Sequence, residues 1–442
     1  MITNLMDVGL QLFDVNGEIV LNFLEKFIGI LIGAVGITGL GIILYCLILK
    51  VVILPLDIWQ KATMRKQSLK MKSMRGQLEV LQQQYANSPE LYQKKINEVY
   101  KQNNYNLFSS CIPMIATLVI LIFAFQSLTG YSQHMNLAIY TNMATSYNQA
   151  IQEHCGDDAV KTDYEKDGNY YKFQSADERN YVYYIQLKEG NAKKEYYVDV
   201  DCLMKIENSL KTDEDCIEYV TNIGREAAAE SYKREKDGFG WIKNIYYPDV
   251  AWAHPLQSYS DFCSAITRDI TKEDGSKVKI RDFINENIYN EITYNLSDAK
   301  KEPNGYFILV ILTILTNLGS QFIMMRSQKD QRELQTADKS AQSMQKWMMF
   351  LMPVMFCVFA FIYSAAFSLY LITSSLFSLL STLIVNKCID AAFNKNQEKQ
   401  EKVQVQYGGR KALTRDWEKN KEIMQEKENK KDDKNKKDNK KR

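Results

Sequence analysis

The sequence predicts an all-α polytopic membrane protein with five transmembrane helices. A cytoplasmic helical hairpin and an inserted extracytoplasmic α+β domain complete it. Three observations predict this. The 442-residue chain holds four long apolar runs nearly free of charge, although its mean hydropathy is only -0.32 and its net charge +2. Between the first two runs, apolar residues recur with a heptad period. Between the second and third lie Tyr- and Val-rich stretches that alternate like strands.

Residues 1–36 are expected outside, with an amphipathic surface helix over Glu18–Val35. Four acids precede the first basic residue, Lys26, which does not suit a secretory signal. The first span is placed at 37–56 and contains ILYCLILKVVILPL (43–56), in which Lys50 is the one charge. An ammonium in hydrocarbon costs about 2.5–3.5 kcal/mol even on insertion scales. Lys50 therefore either snorkels toward the cytoplasmic interface or faces a wet polar cavity.

Residues 57–106 form the hairpin. Met64, Met71, Leu78 and Tyr85 recur every seven residues, with Met74 and Leu81 between them. Ser88, Pro89 and Glu90 open a second helix, whose apolar face carries Tyr92, Ile96 and Val99. The second span follows at 107–131. The insertion, 132–304, is expected to hold a hairpin of Asn180–Leu187 with Glu195–Val200, a helical stretch over 203–236, and a second surface-lying helix over Phe239–Asp249. Its cysteines, Cys155, Cys202, Cys216 and Cys263, permit two disulfides or four reduced thiols.

The third span is 305–325, the loop after it 326–346, and the fourth and fifth spans 347–365 and 366–386. The last two are joined by a tight turn near Tyr363–Ser368. Short-loop Lys and Arg set the orientation: nine in 57–106 and five in 326–346 place both loops inside. An odd number of spans then leaves the N-terminus outside and the tail inside. The tail, 387–442, has 18 Lys/Arg against 11 Asp/Glu and is expected to be disordered. Such a tail suits ribosomal RNA or anionic lipid.

Chemistry-bearing motifs are missing. There is no phosphate loop, HExxH or CxxC, and the three histidines lie far apart. No enzyme activity, metal or cofactor is expected. Polar stripes do cross two spans: Thr313, Thr316, Asn317, Ser320 and Gln321 in the third, and Tyr370, Ser374, Ser378 and Ser381 in the fifth, with Thr373 and Thr382 beside them. Hydroxyl stripes pack helices together or line a polar cavity. A transporter would show repeat symmetry and broken helices, and a sensor an internal output domain. Neither pattern is seen.

Several stretches occur in an order that resembles the YidC/Oxa1/Alb3 family of membrane protein insertases. They are LKVVILPL (49–56), LQQQY (81–85), VYK (99–101), CIP (111–113), WIKNI (241–245), MFLMPVM (349–355) and LYLITSSLF (369–377). The resemblance covers roughly 18–131 and 239–390. It implies a hydrophilic groove inside the bilayer, open to cytoplasm and lipid, with a basic residue in it. By this resemblance Lys50 is the groove charge. Cys46, Thr313, Asn317, Ser320, Gln321, Tyr370, Thr373, Ser374 and Ser378 line the groove or the substrate path. Nascent membrane proteins are the implied clients, in a bacterial plasma membrane, with the ribosome and the Sec translocon as partners. Three features depart from the family pattern. Lys50 stands where Arg is usual, Asn106–Cys111 lacks the family's glycine pair, and a large external insertion separates spans two and three.

Overall fold

The computed structural model describes residues 16–85, 88–105, 111–154, 163–167, 170–174, 180–189, 192–327, 351 and 354–407. It is mostly helical. A short strand β1 (Gly17–Glu18) leads into α1 (Phe23–Val35), so Glu18 lies in a strand rather than in the expected surface helix. Asn22 begins α1 through a capping box with Glu25. Gly36, in the left-handed region at φ 75°, ends it.

Helix α2 (Thr38–Gln84) is continuous for 47 residues, from the Lys50 stretch through the first half of the hairpin. Pro55 lies inside it. Proline removes one helical hydrogen bond, and here the helix continues past it. The partner helix α3 (Pro89–Gln102) folds back along α2. Met71, Met74, Leu78 and Ile96 make a small core between them, with Tyr92 and Val99 packed around it.

Helix α4 (Cys111–Gln152) is also continuous and does not stop at 131. Beyond it, β2 (Asp163–Asp167), β3 (Tyr170–Gln174), β4 (Asn180–Glu189) and β5 (Ala192–Asp199) form an antiparallel sheet in chain order. The expected hairpin is the β4–β5 pair, with Tyr183 opposite Tyr197. The expected helical stretch over 203–236 is two helices, α5 (Val200–Ile206) and α6 (Asp213–Glu235), and a capping box at Thr212 and Asp215 starts the second. Helix α6 packs antiparallel to α4: Gly224 lies against Tyr147 and Ile151, so close that a Cβ would meet them at 3.0 Å.

The expected helix over Phe239–Asp249 is absent. The segment makes a bridge between Phe239 and Ile242 and then turns. Gly240 sits at φ 62°, and the Asn244 side chain bonds the Tyr246 N–H, so turn geometry replaces helical bonds. Short elements follow: α7 (Tyr259–Ala265), β6 (Ile270–Lys272), β7 (Lys277–Val278), α8 (Ile280–Phe283) and α9 (Glu286–Ile292). Strand β6 pairs with β1 and β7 in a second, three-stranded sheet.

Helix α10 (Ile308–Ser327) carries the first polar stripe. A helix α11 covers 354–362, and the turn after it falls at Tyr363–Ser364. Helix α12 (Ala365–Tyr407) runs well past 386, so the first third of the expected disordered tail is helical. Residues 408–442, and most of the loop at 326–346, lie outside the described residues. Among the described residues, three helices are long and apolar enough to cross a membrane: Thr38–Gln84, Ile308–Arg326 and Ala365–Ile389. Their outer faces carry bare apolar side chains, among them Val51, Val52, Leu315, Phe322, Leu380 and Ile384. That is the surface lipid would cover.

Candidate functional site

Helix α12 lies between α2 and α10 and turns a polar face to each. On the α2 side, the Cys46 thiol points at the Tyr370 carbonyl, Sγ to O 3.6 Å. One turn on, the Lys50 ammonium donates to the Ser378 hydroxyl at 3.0 Å. Lys50 therefore reaches across to α12. Ser378 also anchors its own helix, its carbonyl accepting from Ser381 at 3.1 Å and Thr382 at 2.6 Å.

On the α10 side, Thr313 donates to the Ser368 carbonyl at 3.4 Å. Ser375 donates to the Asn317 side-chain oxygen at 2.8 Å, while the Asn317 amide returns a bond to the Thr313 carbonyl at 2.8 Å. Thr313, Asn317 and Ser320 are buried, and Gln321 is half-buried. Thr373 bonds the Leu369 carbonyl of its own helix at 2.9 Å. The structure thus brings the residues expected at the site onto one three-helix unit.

Two participants escaped the sequence reading. Ser375 lies off the Tyr370–Ser378 stripe, yet it is the residue that meets Asn317. Asp57 lies seven residues after Lys50, the same side of a helix two turns on, and its charge acts on the ammonium. That spacing was the available signal.

Cys216 and Cys263 are buried free thiols, so the structure favours reduced thiols at these two positions. Burial, with Asp213 and Asp215 nearby, pushes the Cys216 thiol up to about 11, and burial also raises Cys263. Such thiols are unreactive. Cys202 falls in α5, and Cys155 lies outside the described residues. No cluster of metal-ligating side chains occurs among the described residues.

The family model for the 60Kd inner membrane protein, the YidC/Oxa1 family, matches residues 30–156 and 228–395, well over half of the chain. The chain belongs to this family. The matched parts contain α2, α10 and α12 as far as residue 395. The unmatched segment, 157–227, contains β2–β5, α5 and about the first two thirds of α6. Among curated relatives, the Membrane protein insertase YidC of Fusobacterium nucleatum is 31% identical over 108 residues, 24% of this chain and 51% of the relative. That of Enterococcus faecalis is 33% identical over 98 residues, 21% of this chain and 34% of the relative. That of Clostridium perfringens is 32% identical over 92 residues, 21% of this chain and 37% of the relative. The match spans at most about half the length of these relatives.

Proposed function

We propose that this protein is a membrane protein insertase of the bacterial plasma membrane. It moves hydrophobic segments of nascent membrane proteins into lipid without catalysing a covalent reaction. Family membership carries this reading, because the matched residues include the α2–α10–α12 unit with Lys50 inside it. Five spans are proposed: the first halves of α2, α4 and α12, all of α10, and 347–365. The N-terminus is outside, and the hairpin and tail are inside, following the short-loop basic residues.

Lys50 is the groove charge. An ammonium has three protons to place, and the structure gives one bond, to Ser378. Water entering from the cytoplasmic side supplies the others. A client arrives with a short polar or acidic flank beside an apolar segment. The flank is held at Lys50 among the hydroxyls of Tyr370, Ser374 and Ser378, where its desolvation is incomplete. Thr313, Asn317, Ser320, Gln321, Thr373 and Cys46 line the same path. The apolar segment then leaves into lipid, and burial of its surface supplies about 25 cal/mol per Å². The basic tail meets the ribosome, and the Sec translocon is a further partner.

Charge substitution tests the assignment. In cells depleted of the resident insertase, Lys50→Arg should support insertion of single-span clients with acidic external tails. Lys50→Ala should reduce it several-fold and Lys50→Glu more, at equal protein level. Clients with neutral tails should respond less. Full complementation by Lys50→Glu would remove the electrostatic role.

A further inference from the structure

Helices α10 and α12 begin at one loop. The first N–H groups of a helix have no partner inside it, and residues 244–249 supply partners for both helices. Ala365 N–H donates to the Tyr247 carbonyl at 2.9 Å and Ala366 N–H to the Ile245 carbonyl at 3.0 Å. On the other side, Asp249 accepts from Leu309 N–H at 2.6 Å and Tyr306 N–H at 2.8 Å. The Trp241 indole donates to the same carboxylate at 3.2 Å. Asp249 is 0% exposed. A carboxylate also suits the positive end of a helix.

The node is over-determined. Asn304, fully buried, donates to the carbonyls of Asn244 at 2.9 Å and Pro248 at 2.9 Å, and accepts from Asn244 N–H at 2.8 Å. Phe307 stands at φ 63°, a conformation unfavourable for a bulky residue. The Asp249 carbonyl accepts its N–H at 3.2 Å, and its ring packs on Trp252 and Phe361. Gly305 leaves room for the carboxylate, because a Cβ there would lie 1.8 Å from Asp249 Oδ1.

We propose that Asp249 is a positioning residue of the groove: by tying the start of α10 to the loop that also starts α12, it sets the axial register of their polar faces. The proposal rests on the groove reading above. The Asn317–Ser375 contact lies eight residues beyond Leu309, about 12 Å along a stiff helix, so a slip at the outer end is carried to it.

The test uses full-length protein in membranes, with native cysteines replaced and one of two cysteine pairs added. Pair 317/375 reports α10 against α12. Pair 50/378 reports α2 against α12, which Asp249 does not touch. Asp249→Ala should slow oxidative cross-linking of 317/375 at least fivefold and leave 50/378 within twofold. Asp249→Asn, retaining one acceptor oxygen, should restore part of the rate. Gly305→Ala should reproduce the Asp249→Ala pattern by displacing the carboxylate, and it serves with Asp249→Asn if Asp249→Ala does not accumulate. Unchanged 317/375 cross-linking in these variants, or an equal fall in both pairs, overturns the proposal. A selective fall in 317/375 upholds it. Insertion by the same variants with native groove residues should fall at least threefold. Selective cross-linking loss with full insertion would uphold the positioning role and count against the groove reading.

Discussion

At the scale of the residue, the informative contacts are those that place a charge. Lys50 meets a hydroxyl of another helix, so its surroundings should be wet. With Cys46, Cys357 and Cys388 replaced, a cysteine at 50 or 374 should react with a membrane-impermeant maleimide added from the cytoplasmic side. A cysteine at Ile42, which is 1% exposed, should stay dark. Equal rates at 50 and 42 would mean a dry helix contact. A second charge is placed by pairing. Glu25, 0% exposed, receives both arms of Arg268, at 2.9 and 2.5 Å. Gly130 makes room, since a Cβ there would lie 2.1 Å from Glu25 Oε1. Breaking a buried pair costs about 3–5 kcal/mol. The Arg268 side chain is one-third exposed, so about 1–3 kcal/mol is expected after solvent screening. Arg268→Ala should lower the unfolding midpoint, and adding Glu25→Gln should recover part of the loss. A double-mutant cycle with no coupling would contradict this.

At the scale of the element, the hairpin rests on a small core of its own. Its core is four buried side chains, each contributing about 1.5–3 kcal/mol. Leu78→Ala, at about 2–5 kcal/mol, should release α3. Hydrogen exchange at 89–102 should rise strongly while α10 and α12 are unaffected. Unaltered exchange there would show that something else holds α3. This hairpin was legible because Met71, Met74, Leu78, Ile96 and Val99 mark it at fixed local spacing. The apolar helices and their polar stripes were legible for the same reason. Helix boundaries were not. The second span is expected to close at Tyr131, whereas the helix itself runs on through Ser132, Gln133 and Asn136, buried polar residues within one continuous helix. Aromatic composition suggested a surface helix at Phe239–Asp249, where Gly240 and the Asn244 side chain make turns instead. Asp249 was illegible, because its partners Tyr306 and Leu309 are 57 and 60 residues away and nothing local announces them.

At the scale of the whole molecule, the far half of α4, helix α6 and residues 236–304 form a tyrosine-rich packed body. Tyr140, Tyr247 and Tyr289 are buried, and burial raises each phenol well above its ordinary value. Burial raises Tyr147 and Tyr232 in the same way, with Glu291 and Glu302 adding to it. A phenol raised in the folded state contributes stability that is complete below its unfolded value, about 10. That stability is lost as pH rises toward the folded value. Phenolate absorbance should therefore show an early class near pH 10 and a late class that ionises only as near-ultraviolet dichroism disappears. One smooth titration of all tyrosines would contradict the buried body.

Helix α4 has a practical consequence. Its 42 residues make a rod about 63 Å long at 1.5 Å per residue, roughly twice the hydrocarbon thickness. Helix α6 returns along its far half, with Gly224 against Tyr147 and Ile151. A 51.2 kDa membrane protein offers few features for aligning particle images inside a detergent micelle. An antibody fragment raised against the tip would be held on a stiff mast clear of the micelle, and would serve as a fiducial that reports the orientation of the helices below.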